Sequence, residues 1–345
     1  MDYQQIDYNQ SLYEKKKRRW KGVLLLGLLV VGILIYGTIR LGIASNKIEV
    51  QGAEGGDFWS KLTGIFKKDE EEKPDPNYTM PVEEKDRLDI LILGIRGEND
   101  PDAETAGAYL SDTMMVFSYD KVTQKSAVIS IPRDLHVKIY KKQEKINSAY
   151  AGGLARGDGL GFTKKLVSQI SGVYIDHVAV IDFSSFEKII DTVGGVDVVL
   201  AKPFAEKNQW GYEFSLPAGP NHLNGKDALY YARSRFSTND FDRARRQQEI
   251  IFALKDKLAK IDIFSDPIQA FEVFKALRSN IKTDVGLWDM KSMIDLAGRI
   301  NGDTEHFIIS IDNLVYESHI NNMYVLLPVG DNFIGIKQKF QDILK

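Results

Sequence analysis

His177-Val-Ala-Val-Ile-Asp-Phe-Ser-Ser-Phe-Glu-Lys-Ile-Ile-Asp-Thr-Val-Gly-Gly-Val-Asp-Val-Val-Leu200 reads as strand, helix, strand. Val178–Ile181 is a short apolar run of the kind a sheet buries. Ser184 with Glu187 forms a capping box, and Phe186, Ile189 and Ile190 follow at helical spacing. Gly194-Gly195 then stops the helix, and Val196–Leu200 resumes extended structure. Toward the N-terminus, Leu88–Leu93 ends at Gly94, and Thr113–Tyr119 and Ser126–Ile131 are two more strands joined by a polar turn. Toward the C-terminus, Asn224 with Asp227 caps a helix through Tyr231, and Asp240 opens a longer one reaching about Ile261. This alternation predicts a single α-β-α domain with a central mixed sheet over residues 87–345.

Upstream of that domain, Gly22–Ile39 is an unbroken run of 18 uncharged residues, with further apolar residues to Ile43. About 20 apolar residues span the hydrocarbon layer, so 22–43 is predicted to be a transmembrane helix. Lys15-Lys-Lys-Arg-Arg-Trp-Lys21 precedes it and only Arg40 and Lys47 follow closely, which places the tail 1–21 in the cytoplasm and the rest outside. Residues 44–86 read as a charged stalk, with Pro74, Pro76 and Pro81 and the run Asp69-Glu-Glu-Glu72. Within it Phe58, Trp59, Leu62, Ile65 and Phe66 fall at helical spacing behind Asp57. Of 45 basic and 48 acidic side chains the first 21 residues take six and three, so the remainder carries 39 and 45, a net of −6. An acidic domain of this kind is a poor nucleic-acid binder. The 345 residues are 43% hydrophobic and 27% charged, which excludes a disordered scaffold. With no cysteine, disulfides, thiolate zinc sites and thiol nucleophiles are excluded as well.

The chemistry concentrates in Tyr230-Tyr-Ala-Arg-Ser-Arg-Phe-Ser-Thr-Asn-Asp-Phe-Asp-Arg-Ala-Arg-Arg-Gln-Gln248. On a helix from Asp240, the residues Arg243, Arg246, Gln247, Ile250, Ile251, Leu254 and Leu258 share one stripe, so its first turns would bury guanidinium and amide groups. Buried arginines need an anion. A salt bridge to Asp240 or Asp242 would serve, but five arginines within 14 residues at a helix N-terminus favour a phosphate site. Ser130-Ile-Pro-Arg-Asp134 presents Arg133 and Asp134 where a buried strand ends, the end at which open α/β sheets bind ligands. Asp112 opens another strand.

These blocks resemble the LytR-CpsA-Psr family in residue content and order: Ile90-Leu-Ile-Leu-Gly94, Ser111-Asp-Thr-Met-Met115, Ser130-Ile-Pro-Arg-Asp134, Lys145-Ile-Asn-Ser-Ala-Tyr150, Phe186 to Asp197, His222-Leu-Asn-Gly225, Tyr231-Ala-Arg-Ser-Arg235 and Asp240 to Gln248. The resemblance implies a membrane-anchored extracytoplasmic phosphotransferase. Such an enzyme moves a glycopolymer from a polyprenyl-pyrophosphate carrier onto peptidoglycan, usually with Mg²⁺ (or Mn²⁺). It implies that Arg133, Arg233, Arg235, Arg243, Arg246 and Gln247 hold the pyrophosphate and that Asp112 is metal-associated. Asp112 or Asp134 would accept the proton of the attacking hydroxyl. Two departures stand out. Gly94-Ile-Arg-Gly-Glu98 occupies a turn where the family commonly has an aspartate, and Leu110 stands where an arginine commonly precedes Ser-Asp. Glu98, Asp100, Asp102 and Glu104 are the candidates to replace the carboxylate. A lipid carrier also needs an apolar channel, for which Phe162, Leu166, Ile170, Phe183, Phe186, Ile189, Ile190, Phe204, Trp210, Phe214 and Tyr230 are available, although the helical spacing of such residues is first of all that of core packing. A non-catalytic lipid-pyrophosphate-binding regulator and a polyprenyl-pyrophosphate pyrophosphatase are the alternative functions.

Overall fold

A computed structural model describes residues 80–207, 209–260, 267–286 and 304–345. The chain divides into two units, 1–72 and 73–345, and every described residue belongs to the second. The expected tail 1–21, the span 22–43 and residues 44–79 of the stalk lie outside the described residues. Residues 80–86 form neither helix nor strand. Among the described residues no helix is long and apolar enough to cross a membrane.

In chain order the elements are β1 (Arg87–Ile95), α1 (Ala103–Ala106), β2 (Ser111–Asp120), β3 (Ser126–Ser130), β4 (His136–Ile139), β5 (Lys142–Lys145), α2 (Ala149–Leu154), α3 (Gly159–Ser171), β6 (His177–Asp182) and α4 (Phe183–Thr192). There follow β7 (Val196–Leu200), β8 (Phe204–Glu206), β9 (Phe214–Leu216), β10 (Gly219–Leu223), α5 (Gly225–Arg233), α6 (Asp240–Ala259), α7 (Pro267–Asn280), β11 (Lys282–Thr283), β12 (Glu305–Ile308), β13 (Val315–Ile320), β14 (Met323–Pro328) and α8 (Ile334–Asp342). The central sheet has the order β11-β6-β1-β2-β3-β12. β1 runs parallel to β6 and β3 parallel to β12, while β2 lies antiparallel between β1 and β3. The sheet is therefore mixed, and the carboxyl ends of β1, β3, β6 and β12 share one edge with the start of β2.

Side chains alternate across the strands, so β1 splits into two faces. Leu91, Leu93 and Ile95 join Val116, Ile129 and Val180 in the main core, closed by Phe162, Leu166 and Ile170 of α3 and Ile336 and Phe340 of α8. Phe162, Leu166 and Ile170 are thus core residues. On the opposite face Leu88 and Ile90 pack with Phe117 and Tyr119 near the far end, while α4, α5 and α6 pack with β7, β9 and β10 into a second core. α7 packs on α4 through Val273 and Leu277.

Two local readings differ from the structure. The N-cap of α4 is Asp182, whose carboxylate accepts the Ser185 amide at 2.8 Å, not Ser184 with Glu187. The last residue of β6 doubles as the cap, so strand passes to helix with no intervening loop. Val196–Leu200 is a strand, but it pairs antiparallel with β10 in a separate ribbon. Its burial alternates, Val196, Val198 and Leu200 inward and Asp197 and Val199 outward, as suits a strand with one solvated face. Gly195 makes the turn possible: its φ is +81°, and a Cβ there would sit 2.6 Å from the His222 ring on β10.

Candidate active site

Three turns bring the charged groups to the common edge of the sheet. Pro132 ends β3 and presents Arg133, Asp112 opens β2, and Asn239 caps α6 by accepting the Asp242 amide. Arg133 donates from Nη1 to Asp112 Oδ1 at 2.7 Å and from Nε to Asp240 Oδ2 at 3.0 Å, with Asp134 Oδ2 at 3.6 Å. Burial alone would lower its pKa, but Asp240, Asp112 and Asp134 hold it above the ordinary value. Arg243 approaches the same Asp240 oxygen at 3.2 Å. It is 6% exposed and burial lowers its pKa, yet an arginine so far from titration stays charged.

A cavity of about 400 Å³ opens beside this network, between the second face of the sheet and α4, α5 and α6. One end is cationic, lined by Arg96, Arg133, Arg233, Arg235 and Arg243 against Asp102, Asp112 and Asp182. The other walls are apolar: Ile92, Met115, Ile181, Phe183, Phe186, Trp210, Leu229, Ile250 and Ile251. Arg233 lies 3.9 Å above the Phe183 ring and 5.2 Å from Trp210, so aromatic faces aim its guanidinium. Four buried side-chain polar atoms among the described residues lack a partner, and two are Nε of Arg96 and Nε of Arg243, both cavity-lining arginines. Buried donors without a partner are rare in folded proteins, and these two belong to arginines on the cavity wall.

Of the residues expected from sequence, the cavity gathers Asp112, Arg133, Arg233, Arg235, Arg243 and Gln247. Arg246 does not line this cavity. Its Nε donates to the Tyr231 carbonyl at 2.9 Å, its Nη2 to the Ser234 carbonyl and to Thr238 Oγ1 at 3.1 Å, and Phe204 lies 4.9 Å away. The turn between α5 and α6 folds back over it and uses its donors. The buried amide on α6 is Gln248, which donates to Ser130 Oγ at 2.8 Å, whereas Gln247 lines the cavity and donates to the Ala232 carbonyl. Asp134 does not line this cavity and pairs with Lys145 Nζ at 2.6 Å.

Arg96 was not singled out in the sequence. It follows the carboxyl end of β1, the same strand-end position that marks Arg133. Its Nη1 bonds Asp100 at 2.9 Å. Burial pushes the Asp100 carboxyl up, but the Arg96 hydrogen bond, the Asp102 amide and the charges of Arg96 and Arg233 hold it below the usual range. Among the four substitute carboxylates, Asp100 is therefore committed to arginine and Glu98 accepts from the Tyr109 hydroxyl, while Asp102 lines the cavity. Phe183, Phe186 and Trp210 of the expected apolar set line it too.

The LytR_cpsA_psr family model matches residues 58–341. The regulatory protein MsrR of Staphylococcus aureus (strain COL) is 30% identical over 272 residues, 76% of each chain. The Bacillus subtilis protein TagU, named a polyisoprenyl-teichoic acid–peptidoglycan teichoic acid transferase, is 32% identical over 61% of this chain and 65% of its own. The crystal structure of B. subtilis TagV superposes with a TM-score of 0.59 at 26% identity, covering 76% of this chain and 98% of TagV.

Proposed function

The chain belongs to the LytR-CpsA-Psr family, and from that premise we propose that it is a phosphotransferase moving a glycopolymer from a polyprenyl-pyrophosphate carrier onto peptidoglycan. The observation that carries the reading is the form of the cavity: five arginines at one end, two with unsatisfied buried donors, and an apolar body behind them. That shape suits an amphiphile with a polyanionic head and a hydrocarbon tail. The 22–43 run would anchor the protein with its N-terminus in the cytoplasm and its domain outside, beside a membrane-borne donor.

In this reading Arg96, Arg133, Arg233, Arg235, Arg243 and Gln247 hold the pyrophosphate, and Phe183, Phe186 and Trp210 contact the first isoprene units. Among the described residues no cluster of three or more metal-ligating side chains occurs. A divalent cation here would therefore depend on the phosphates as well as protein, which is the habit of Mg²⁺. Asp112 fits, since one oxygen accepts from Arg133 and the other takes no hydrogen bond from the described residues; Asp102 and Asp182 are the other carboxylates on the same cavity. When bound, Mg²⁺ would neutralise charge on the phosphates. The arginines position the phosphoanhydride and stabilise charge on the departing polyprenyl phosphate, which is most of what phosphoryl transfer requires. In this reading Asp112 accepts the proton of the attacking hydroxyl.

The full chain in detergent, given a polyprenyl-pyrophosphate-linked oligosaccharide and peptidoglycan fragments with and without Mg²⁺, tests this by mass spectrometry. A Mg²⁺-dependent product joining glycan to peptidoglycan through phosphate is expected. Free glycosyl phosphate alone would identify a pyrophosphatase, and bound but unreacted donor a regulator.

A further inference from the structure

A second cavity, of about 440 Å³, lies against the first. The two share a wall made of Asp112, Arg133, Arg243 and Gln247, so only these side chains separate a ligand in one from a ligand in the other. We infer that the second cavity receives the acceptor saccharide, presenting a sugar hydroxyl through that wall to the donor's phosphorus. The inference rests on the transferase reading and assigns its other substrate.

Charge distinguishes the two chambers. The first has an arginine excess; the second sets Arg133, Lys145 and Arg243 against Asp112, Asp134, Asp240 and Glu317. These opposite charges are already matched: Asp134 to Lys145 at 2.6 Å, Asp240 to Arg133 at 3.0 Å and to Arg243 at 3.2 Å. A balanced, hydrogen-bonding lining does not recruit a second polyanion. It suits the hydroxyl and amide groups of a saccharide, which exchange hydrogen bonds with carboxylates and an ammonium.

The outer wall comes from the β13–β14 hairpin, far in sequence from the arginine blocks. Tyr324 is half-buried and its hydroxyl donates to Glu317 Oε1 at 3.0 Å. The ring, with Lys145 Nζ 5.7 Å from its centre, forms part of the wall a sugar would pack on, and Glu317 would accept the sugar's hydroxyl or amide hydrogens. Leu326 fixes the hairpin to the site by donating its amide to the Asp134 carbonyl at 2.9 Å. In the transfer step the acceptor oxygen bonds to the glycan-side phosphorus and the phosphoanhydride P–O bond breaks. The polyprenyl phosphate leaves with that electron pair, and the hydroxyl proton passes to Asp112, the one carboxylate lining both chambers.

The test is equilibrium binding of an uncross-linked peptidoglycan tetrasaccharide to the full chain in detergent, with farnesyl pyrophosphate saturating, followed by calorimetry or ligand-observed NMR. Tyr324→Ala and Glu317→Gln should each weaken tetrasaccharide binding about tenfold, and Arg233→Ala, which touches only the first chamber, less than about twofold. Tyr324→Phe keeps the ring and the packing, and should fall between wild type and Tyr324→Ala. No tetrasaccharide binding by the wild type, or equal weakening by Arg233→Ala and Tyr324→Ala, overturns the assignment. Wild-type binding of the tetrasaccharide, with no joined product once a polyprenyl-pyrophosphate-linked oligosaccharide replaces farnesyl pyrophosphate, would remove the transferase reading and leave the saccharide chamber standing.

Discussion

Arg243 and Arg246 stand three residues apart on one helix and are equally buried, at 6% exposure each, yet their guanidinium groups face different partners. Arg243 meets Asp240 and the cavity with its Nε free, whereas Arg246 satisfies two carbonyls and a hydroxyl. Their spacing made both legible as buried, but the division between them depends on how residues 234–239 fold back, which no periodicity records. Different losses follow. Arg246→Ala leaves the Tyr231 and Ser234 carbonyls without a charged donor and should cost about 3 kcal/mol of stability, read by urea unfolding. Arg233→Ala should cost about 1 kcal/mol or less in the same measurement, yet weaken farnesyl pyrophosphate binding at least about thirtyfold, because a charge-assisted contact to a phosphate is lost. Similar stability losses in Arg246→Ala and Arg233→Ala would contradict a structural role for Arg246 and a ligand-binding role for Arg233.

At the scale of elements, junctions matter more than interiors. The interiors of β1, β2, β3 and β6 and the α5 cap at Asn224 could be read directly, because apolar runs and cap residues act locally. The α4 cap could not, since Ser184 with Glu187 makes a complete capping-box pattern two residues beyond Asp182, and the ribbon of β7 needed its alternation weighed against the continuous run of β6. Asp182→Ala should therefore destabilise by about 1 kcal/mol, while Ser184→Ala changes stability little. Another junction ties α3, β6 and the residues after β11. Asp284 accepts from Lys164 Nζ at 2.7 Å and from the Val178 amide at 2.8 Å, with His177 Nδ1 at 3.6 Å. Burial pushes this carboxyl up, but His177, Lys164 and the Val178 amide hold it far below its ordinary 3.8. A depressed carboxyl binds fewer protons folded than unfolded, so its contribution is complete above about pH 5 and fades as pH falls through 3.8 and below. Asp284→Asn should cost about 2 kcal/mol at pH 7 and progressively less toward pH 2, as measured by denaturant unfolding at each pH.

Over the whole molecule, the site is assembled from segments that only the sheet topology brings together. Arg133 meets Asp240 across 107 positions, and the hairpin at 315–328 closes a chamber that the arginine blocks alone would leave open. The blocks themselves were legible because arginine density at a helix start and charge at a strand end have direct physical meaning; the hairpin was not, because Glu317 and Tyr324 acquire chemistry only by position. The same assembly leaves the apolar body of the first cavity between α4, α5, α6 and a sheet face that those helices do not fill. A hydrocarbon tail entering it exchanges water for Phe186, Leu229, Ile250 and Ile251, at about 25 cal/mol per Å² of apolar surface. Affinity for polyprenyl pyrophosphates should thus climb from geranyl to farnesyl to geranylgeranyl, then level off once the tail outgrows a cavity of about 400 Å³. The arginine end contributes equally to every member of that series, so Arg233→Ala should lower all the affinities by one factor and leave the dependence on chain length unchanged. Competition binding across the series reads both effects, and affinity independent of tail length would mean that the apolar body is closed to the lipid.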